Sequence, residues 1–185
     1  MSNGLKVKKR NGRGVEPLDL DKIHKMVEDA CKGIAGVSAS QVEIQSGIQF
    51  YDGITTAEIQ EILIKSASDL ITLDNPNYQF VAARLLLFAV RKSLYGKTRE
   101  LPHLEQHIMS CTNQDVYDKD IFNKYSKEEI DKVNGWIDHE RDFLFTYAGL
   151  RQVVDKYLVQ DRSTGKVYET PQFMYMMIAL TIFAE

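Results

Sequence analysis

The sequence predicts a mainly α protein with a small β part, in two domains over residues 1–97 and 98–185. Three observations point there. Alternation at period two is confined to the N-terminal stretch and to one pair of short segments flanking Asp161 to Gly165. Elsewhere the apolar residues recur at helical spacing. Two capping boxes, Thr55-x-x-Glu58 and Ser126-x-x-Glu129, mark helix starts, one in each half.

Leu5-Lys6-Val7-Lys8 alternates and reads as a strand. Asn11-Gly12 is a turn signal, and Val15 to Leu18 returns as a second strand that Pro17 confines to an edge or a terminus. The first helix starts near Asp21. Its apolar residues Ile23, Met26, Val27, Ala30, Cys31 and Ile34 follow 3.6 spacing, and Gly33 and Gly36 end it. In that stripe Cys31 reads as a buried thiol. Ser38 or Ser40 caps a second helix carrying Val42, Ile44 and Ile48. The Thr55 box opens a third, with Ile59, Ile62, Leu63, Ala67 and Leu70 inside. Asp74-Asn75-Pro76 breaks it and starts a fourth, from about Tyr78 to Tyr95, which is apolar on nearly every side and therefore central. Tyr78, Phe80, Phe88 and Tyr95 on this helix read as core, and Gly96 stops it. A small sheet and four helices are enough for an independent core.

The second half begins with a helix over Leu104 to Cys111. The Ser126 box opens another through Ile130, Val133, Trp136 and Ile137, and a short one covers Tyr147 to Val154. Tyr157 to Gln160 and Lys166 to Glu169 flank Asp161 to Gly165 as a hairpin. Thr170-Pro171 supplies an N-cap and a proline at N1 for a last helix, Gln172 to Phe183, which is almost wholly apolar. A helix apolar all round must be buried, and the ninety or so residues before it offer too little to surround it. A shortened chain, or docking on the first domain, would account for this. So would a domain completed by a second polypeptide, which is the expectation adopted.

Net charge is −3, so no general nucleic-acid affinity is implied. Two cysteines, Cys31 and Cys111, are too few and too far apart for a zinc site or a disulfide framework. The polar N-terminus has no signal-peptide core, and the longest apolar run is about half the ~20 residues a membrane helix needs. The expectation is a cytoplasmic protein (host cytoplasm if phage-encoded) with no membrane and no nucleic-acid partner. No Walker loop, G-x-G-x-x-G, G-x-S-x-G, HExxH or paired-carboxylate motif occurs, so no catalytic residue is assigned. His103 and His107, four apart, lack a third ligand at matching spacing and read as a solvated helix face, so no metal site is assigned. His139-Glu140-Arg141-Asp142 reads as a surface ion-pair cluster on a helix end.

Charge is concentrated at the start. Lys6, Lys8, Lys9, Arg10 and Arg13 lie within eight positions, before a turn into a helix that opens Leu18-Asp19-Leu20-Asp21-Lys22-Ile23. Lysines on an edge strand also serve simply to keep it solvated. Beside a helix N-terminus, whose N–H groups and dipole favour anions, they make a phosphate site.

Asp21-Lys22-Ile23-His24, Asn77 to Arg84, His139 to Asp142 and Lys156 to Asp161 resemble the N-terminal region of class I ribonucleotide reductase large subunits of the enterobacterial and T-even-phage type. The resemblance implies an ATP-cone over 1–97, a small sheet capping a four-helix bundle that binds ATP or dATP, with magnesium, as allosteric effector. It implies that 98–185 is the incomplete helical lead-in to a catalytic barrel. It also points to a split phage subunit, whose partners are a separate polypeptide carrying that barrel and a radical-generating small subunit. The family's catalytic cysteines lie outside this chain, which alone is expected to be inactive. Residue by residue, Lys9 matches a phosphate-contacting lysine with Arg10 beside it, and Val7 matches an apolar contact to the base. Glu16, Asp19 and Lys22 fall in the loop and helix start around the nucleotide, where this chain has one extra residue in the turn. Thr56 lines the site and Lys92 matches a second phosphate-binding lysine. Position 60 is Gln60 where enterobacterial relatives carry histidine. A stand-alone nucleotide-sensing repressor, or a degenerate cone that no longer binds, are the alternatives.

Overall fold

A computed structural model describes residues 4–9 and 14–184, in two compact units: Met1–Ala89 with Phe145–Leu150, and Val90–Leu144 with Arg151–Glu185. The expected turn at Asn11-Gly12 lies outside the described residues.

In the first unit β1 (Lys6–Lys8) is central, antiparallel to β2 (Val15–Pro17) and parallel to β3 (Ile54–Thr55). Pro17 has no N–H to donate, and β2 is accordingly an edge. The third strand is a finding that alternation alone missed, because two residues carry no period. What fixes it is register: Val7 faces Ile54 and Lys8 faces Thr55, while the Lys6 amide donates to Asp52 Oδ1 at 2.8 Å. Four helices follow: α1 (Leu20–Cys31), α2 (Ala39–Gly47), α3 (Thr56–Asp69) and α4 (Tyr78–Tyr95). Their starts are made locally. Asp19 and Ser38 cap α1 and α2, and Thr55 with Glu58 forms the expected box on α3. The α4 run Val81 to Phe88 is buried apart from Arg84, whose guanidinium donates to the Ala30 and Lys32 carbonyls at the end of α1. On α2 only Val42 of the expected apolar residues is inside; Ile44 and Ile48 are 68% and 83% exposed. Cys31 is half-buried at the last turn of α1.

The second unit holds α5 (Leu104–Asn113), α6 (Ile121–Lys124), α7 (Lys127–Asn134), a 3-10 turn over His139–Leu144, the hairpin β4 (Gln160–Asp161) with β5 (Lys166–Val167), and α9 (Pro171–Ile182). The short helix α8 (Tyr147–Gln152) runs into a π turn, Val153–Tyr157, where a continued α-helix was expected. The helix opened by the Ser126 box ends at Asn134, leaving Trp136 exposed. The core joins Leu104 and Ile108 of α5 to Ile121, Ile130 and the Phe173, Met177, Leu180 face of α9. The last helix is therefore not enclosed: Ile182 and Phe183 are 68% and 77% exposed, and Tyr175 and Ile178 are half outside. Its inward stripe runs at i, i+4, i+7, so an almost unbroken apolar sequence still packs by one face.

Candidate nucleotide site and the buried polar core

The cationic segment is set by the sheet. Alternation along β1 turns Val7 inward, 4% exposed, and leaves Lys6 and Lys8 outside. Just past the strand, Lys9 Nζ meets Glu16 Oε2 at 2.7 Å. Glu16 stands on β2 opposite Val7. Where β2 runs into α1, Asp19 accepts from the Lys22 amide at 3.2 Å and pairs with Lys22 Nζ at 3.1 Å. The Lys9 ammonium, hydrogen-bonded to it, holds the Glu16 carboxyl below its ordinary range, and Lys22 acts in the same direction. Lys22 does the same to Asp19 by side-chain and backbone hydrogen bonds, and Lys22 is raised in return.

The start of α3 lies on the other side of β1. Thr56 is its first residue, half-buried, and Gln60 one turn on is 5% exposed. Local side chains cap both helix starts. The Glu58 carboxylate accepts from the Thr55 amide at 2.8 Å and the Tyr51 hydroxyl at 2.8 Å, and Asp19 fills α1. A capping box is a short-range device, satisfied before any ligand arrives. The structure thus gathers Val7, Lys9, Glu16, Asp19 and Lys22 around β1 and β2, and Thr56 and Gln60 on α3. Lys92 is exposed on the last turn of α4, in the part belonging to the second unit. Arg10 lies outside the described residues.

The second unit contains polar groups the sequence reading placed on the surface. In a 3-10 turn residues three apart share a side, so His139 and Asp142 point the same way. Asp142 is buried while Glu140 and Arg141 are exposed. Asp142 Oδ2 pairs with Arg91 Nη2 at 3.1 Å, with neither side chain exposed. Arg91 also donates to the carbonyls of His139 at 2.6 Å and Thr98 at 3.3 Å, beneath the Phe143 ring. His139-Glu140-Arg141-Asp142 is half core, because the buried guanidinium of Arg91 requires a counter-charge.

His103 and His107 do not share a face either. His103 precedes α5 and caps it, its Nδ1 accepting from the Glu105 amide at 3.3 Å. His107 joins the inward stripe of Leu104, Ile108 and Cys111, stacked on Phe173 at 4.2 Å. It bridges Tyr95 at 3.3 Å and Tyr117 at 3.1 Å. Tyr117 donates to Glu169, whose other oxygen accepts from the Val159 amide at 2.7 Å. Burial holds His107 down at about 4, with His139 adding to it, and pushes the Cys111 thiol up to about 11. Cys31 is also pushed up to about 11 by burial, so both thiols are protonated near neutrality and poor nucleophiles.

One cluster among the described residues has metal-ligand types: His103, Glu105 and Asp131, with ligand atoms within 4.8 Å of one another. Its geometry fits a helix cap better. His103 Nδ1 accepts from the Glu105 amide, its Nε2 lies 3.6 Å from Asp131, and Lys127 pairs with Glu105 at 3.4 Å.

Two known families match stretches of the chain. Residues 5–93 match the ATP cone domain, and residues 143–185 match the all-alpha domain of ribonucleotide reductase. An ATP cone match and a reductase all-alpha match thus occur together in this chain, which aligns with the N-terminus of ribonucleoside-diphosphate reductase alpha subunits. It is 45% identical over 184 residues to the Escherichia coli reductase 1 subunit alpha, covering all of this chain and 24% of that one. It is 44% identical over 185 residues to the Haemophilus influenzae subunit, again 24% of it. The Enterobacteria phage T4 subunit is 43% identical over 169 residues, or 90% of this chain and 22% of the relative. The chain spans about a quarter of the length of the curated relatives it matches. The reductase match over 143–185 speaks against a stand-alone sensor.

Proposed function

We propose that the chain is the allosteric part of a ribonucleoside-diphosphate reductase alpha subunit. In this reading residues 1–97 form the regulatory cone, which binds ATP or dATP with magnesium, and 98–185 lead towards the catalytic portion. One observation supports the reading. In the unit matching the ATP cone, Lys9 pairs with Glu16 on the edge strand β2 and Lys22 pairs with Asp19 where β2 runs into α1. Lys9, Lys22 and Lys92 then hold the triphosphate, with Arg10 beside Lys9. Val7, buried under the strand, shapes the floor on which the base rests, and Thr56 and Gln60 supply hydroxyl and amide groups from α3. Gln60 cannot titrate, so binding carries no histidine pH dependence from this position.

The partners in this reading are a polypeptide carrying the catalytic barrel and the radical-generating small subunit, in the cytoplasm of the cell or of a phage's host. No described helix is long and apolar enough to cross a membrane. The exposed apolar side of α9 and a groove of about 450 Å³ beside it, lined by Tyr157, Val159, Ile178 and Ile182, are the surface we assign to the catalytic portion.

Titration calorimetry tests the nucleotide reading. Wild-type protein binds ATP and dATP, and Lys9→Ala and Lys92→Ala each weaken ATP roughly ten- to a hundredfold, the worth of a charge-assisted contact. Wild-type affinity in both variants removes the assignment.

A further inference from the structure

We propose that His24 is a proton-operated clasp between α1 and α2: its imidazolium bridges Glu28 on α1 and Glu43 on α2, and loss of one proton opens the bridge. The element it regulates is α2, which carries the exposed Ile44 on its outward side. His24 is not among the residues assigned to the nucleotide, so the proposal goes beyond that reading and does not rest on it.

Both ring nitrogens face carboxylates. Nδ1 lies 2.7 Å from Glu43 Oε1, and Nε2 lies 3.1 Å from Glu28 Oε1. An ionised carboxylate only accepts, and a neutral imidazole has one N–H and one lone pair. A neutral ring can therefore satisfy one glutamate and must turn a lone pair on the other. The imidazolium has two N–H groups and satisfies both, each through a charge-assisted bond. The Glu43 hydrogen bond raises the ring above its ordinary 6.5, Glu28 and Asp21 add to this, and desolvation opposes it. Arg84 of α4 lies further along α1, where it donates to the carbonyls of Ala30 and Lys32.

Helix α2 is lightly anchored. Of its residues Val42 and Ser46 are the buried ones. Its start is held by contacts without a formal charge: the Tyr78 hydroxyl accepts from the Ser38 amide at 3.0 Å and donates to Gln41. Segments with few buried contacts open locally at small cost, so a bridge of modest strength has a measurable share in holding this one. His24 and Glu28 are about half exposed, which keeps the effect small. Its sign follows from the raised ring. What the clasp contributes is complete below pH 6.5 and is lost as pH rises through the higher folded value.

His24 is the one histidine of the first unit, the others being His103, His107 and His139. Burial holds the Cys31 thiol at about 11, outside the same range. The test is an NMR titration of the His24 ring together with hydrogen exchange at pH 6 and pH 8, corrected for intrinsic rates. It uses the full chain as wild type, His24→Gln and Glu43→Gln, after circular dichroism has shown the same fold in each. Wild-type His24 is expected to titrate above 6.5. Protection within Ala39–Gly47 should fall about two- to fivefold between pH 6 and pH 8, the worth of an exposed pair, while Thr56–Asp69 is unchanged. Both variants should show the lower protection at both pH values. A ring that titrates at or below 6.5, equal wild-type protection at the two pH values, or a fall that survives in His24→Gln overturns the proposal. So does an equal fall in Thr56–Asp69, which would make the loosening a property of the whole unit.

Discussion

Among the described residues of the first unit the ion pairs lie outside. Lys9 meets Glu16, Lys22 meets Asp19, and His24 lies between Glu28 at 3.1 Å and Glu43 at 2.7 Å. In the second they lie inside. Arg91 and Asp142 are wholly enclosed, and His107 links two tyrosines to a buried glutamate. The same residue types thus serve opposite ends. Wet pairs cost little to open and can be exchanged for a ligand. Enclosed groups have no water to replace a lost partner, so they hold one arrangement. A regulatory site needs the first property, and a platform that carries it needs the second.

The largest expected effect breaks the enclosed pair. Arg91→Met strands the Asp142 carboxylate and two carbonyls and should cost about 3–5 kcal/mol of stability. Lys22→Met, at a wet pair, should leave the urea midpoint unmoved. Adding Asp142→Leu to Arg91→Met should recover much of the loss, because two apolar groups need no counter-charge. Urea unfolding followed by circular dichroism decides it; equal costs for Arg91→Met and Lys22→Met would refute the contrast.

Acid should separate the two units in the same sense. The folded value of His107, about 4, lies below its ordinary 6.5, so the folded state binds fewer protons than the unfolded chain. Its contribution is complete above pH 6.5 and is lost as pH falls toward 4. The full difference is on the order of 3 kcal/mol. Glu169 opposes this: burial raises its carboxyl, so the folded state takes up that proton more readily. In the first unit Glu16, Asp19 and Glu58 are lowered instead. What they contribute is present above their ordinary values near 4.5 and 3.8 and is lost only below those. Hydrogen exchange at pH 5, corrected for intrinsic rates, should show protection falling in Leu104–Asn113 while Thr56–Asp69 is retained. His107→Leu should flatten that difference. Loss in both segments together would show that the histidine does not set the acid limit.

Much of this was legible in the sequence because it is local. Caps, glycine stops and helical stripes involve neighbours within four residues, and Ser38, the Thr55 box, Gly96 and the Ser126 box all fall where the chain puts them. What escaped depends on partners far along the chain. Ile54–Thr55 is a strand only because Val7–Lys8 lies beside it. Asp142 is core only because Arg91, 51 positions earlier, is buried. His107 looked solvated beside His103 until the cap at His103 rotated the pair apart. The candidate site shows the same division. Its residue types could be carried over from a resemblance, but the pairing of Lys9 with Glu16 and of Lys22 with Asp19 is a matter of three-dimensional reach that only the fold supplies.

The smallest effect compares one device used in both units. Thr55–Glu58 and Ser126–Glu129 are both complete capping boxes, and replacing the cap residue by alanine costs typically about 1 kcal/mol. The consequence should differ with what each helix buries. Helix α3 carries Ile59, Leu63, Ile64 and Ala67 into the core, and Thr55 also pairs with Lys8 across the sheet. It cannot come loose without exposing that core, so Thr55→Ala should lower the stability of the whole first unit. Helix α7 buries Ile130 alone. Its first turn can fray by itself, as segments with few buried contacts do, so Ser126→Ala should speed amide exchange within Lys127–Asn134 and leave the urea midpoint nearly unchanged. Thr55→Ala should also weaken ATP slightly, since Thr56 is the next residue. A global loss from Ser126→Ala equal to that from Thr55→Ala would mean that α7 is held by more of the second unit than its one buried side chain indicates.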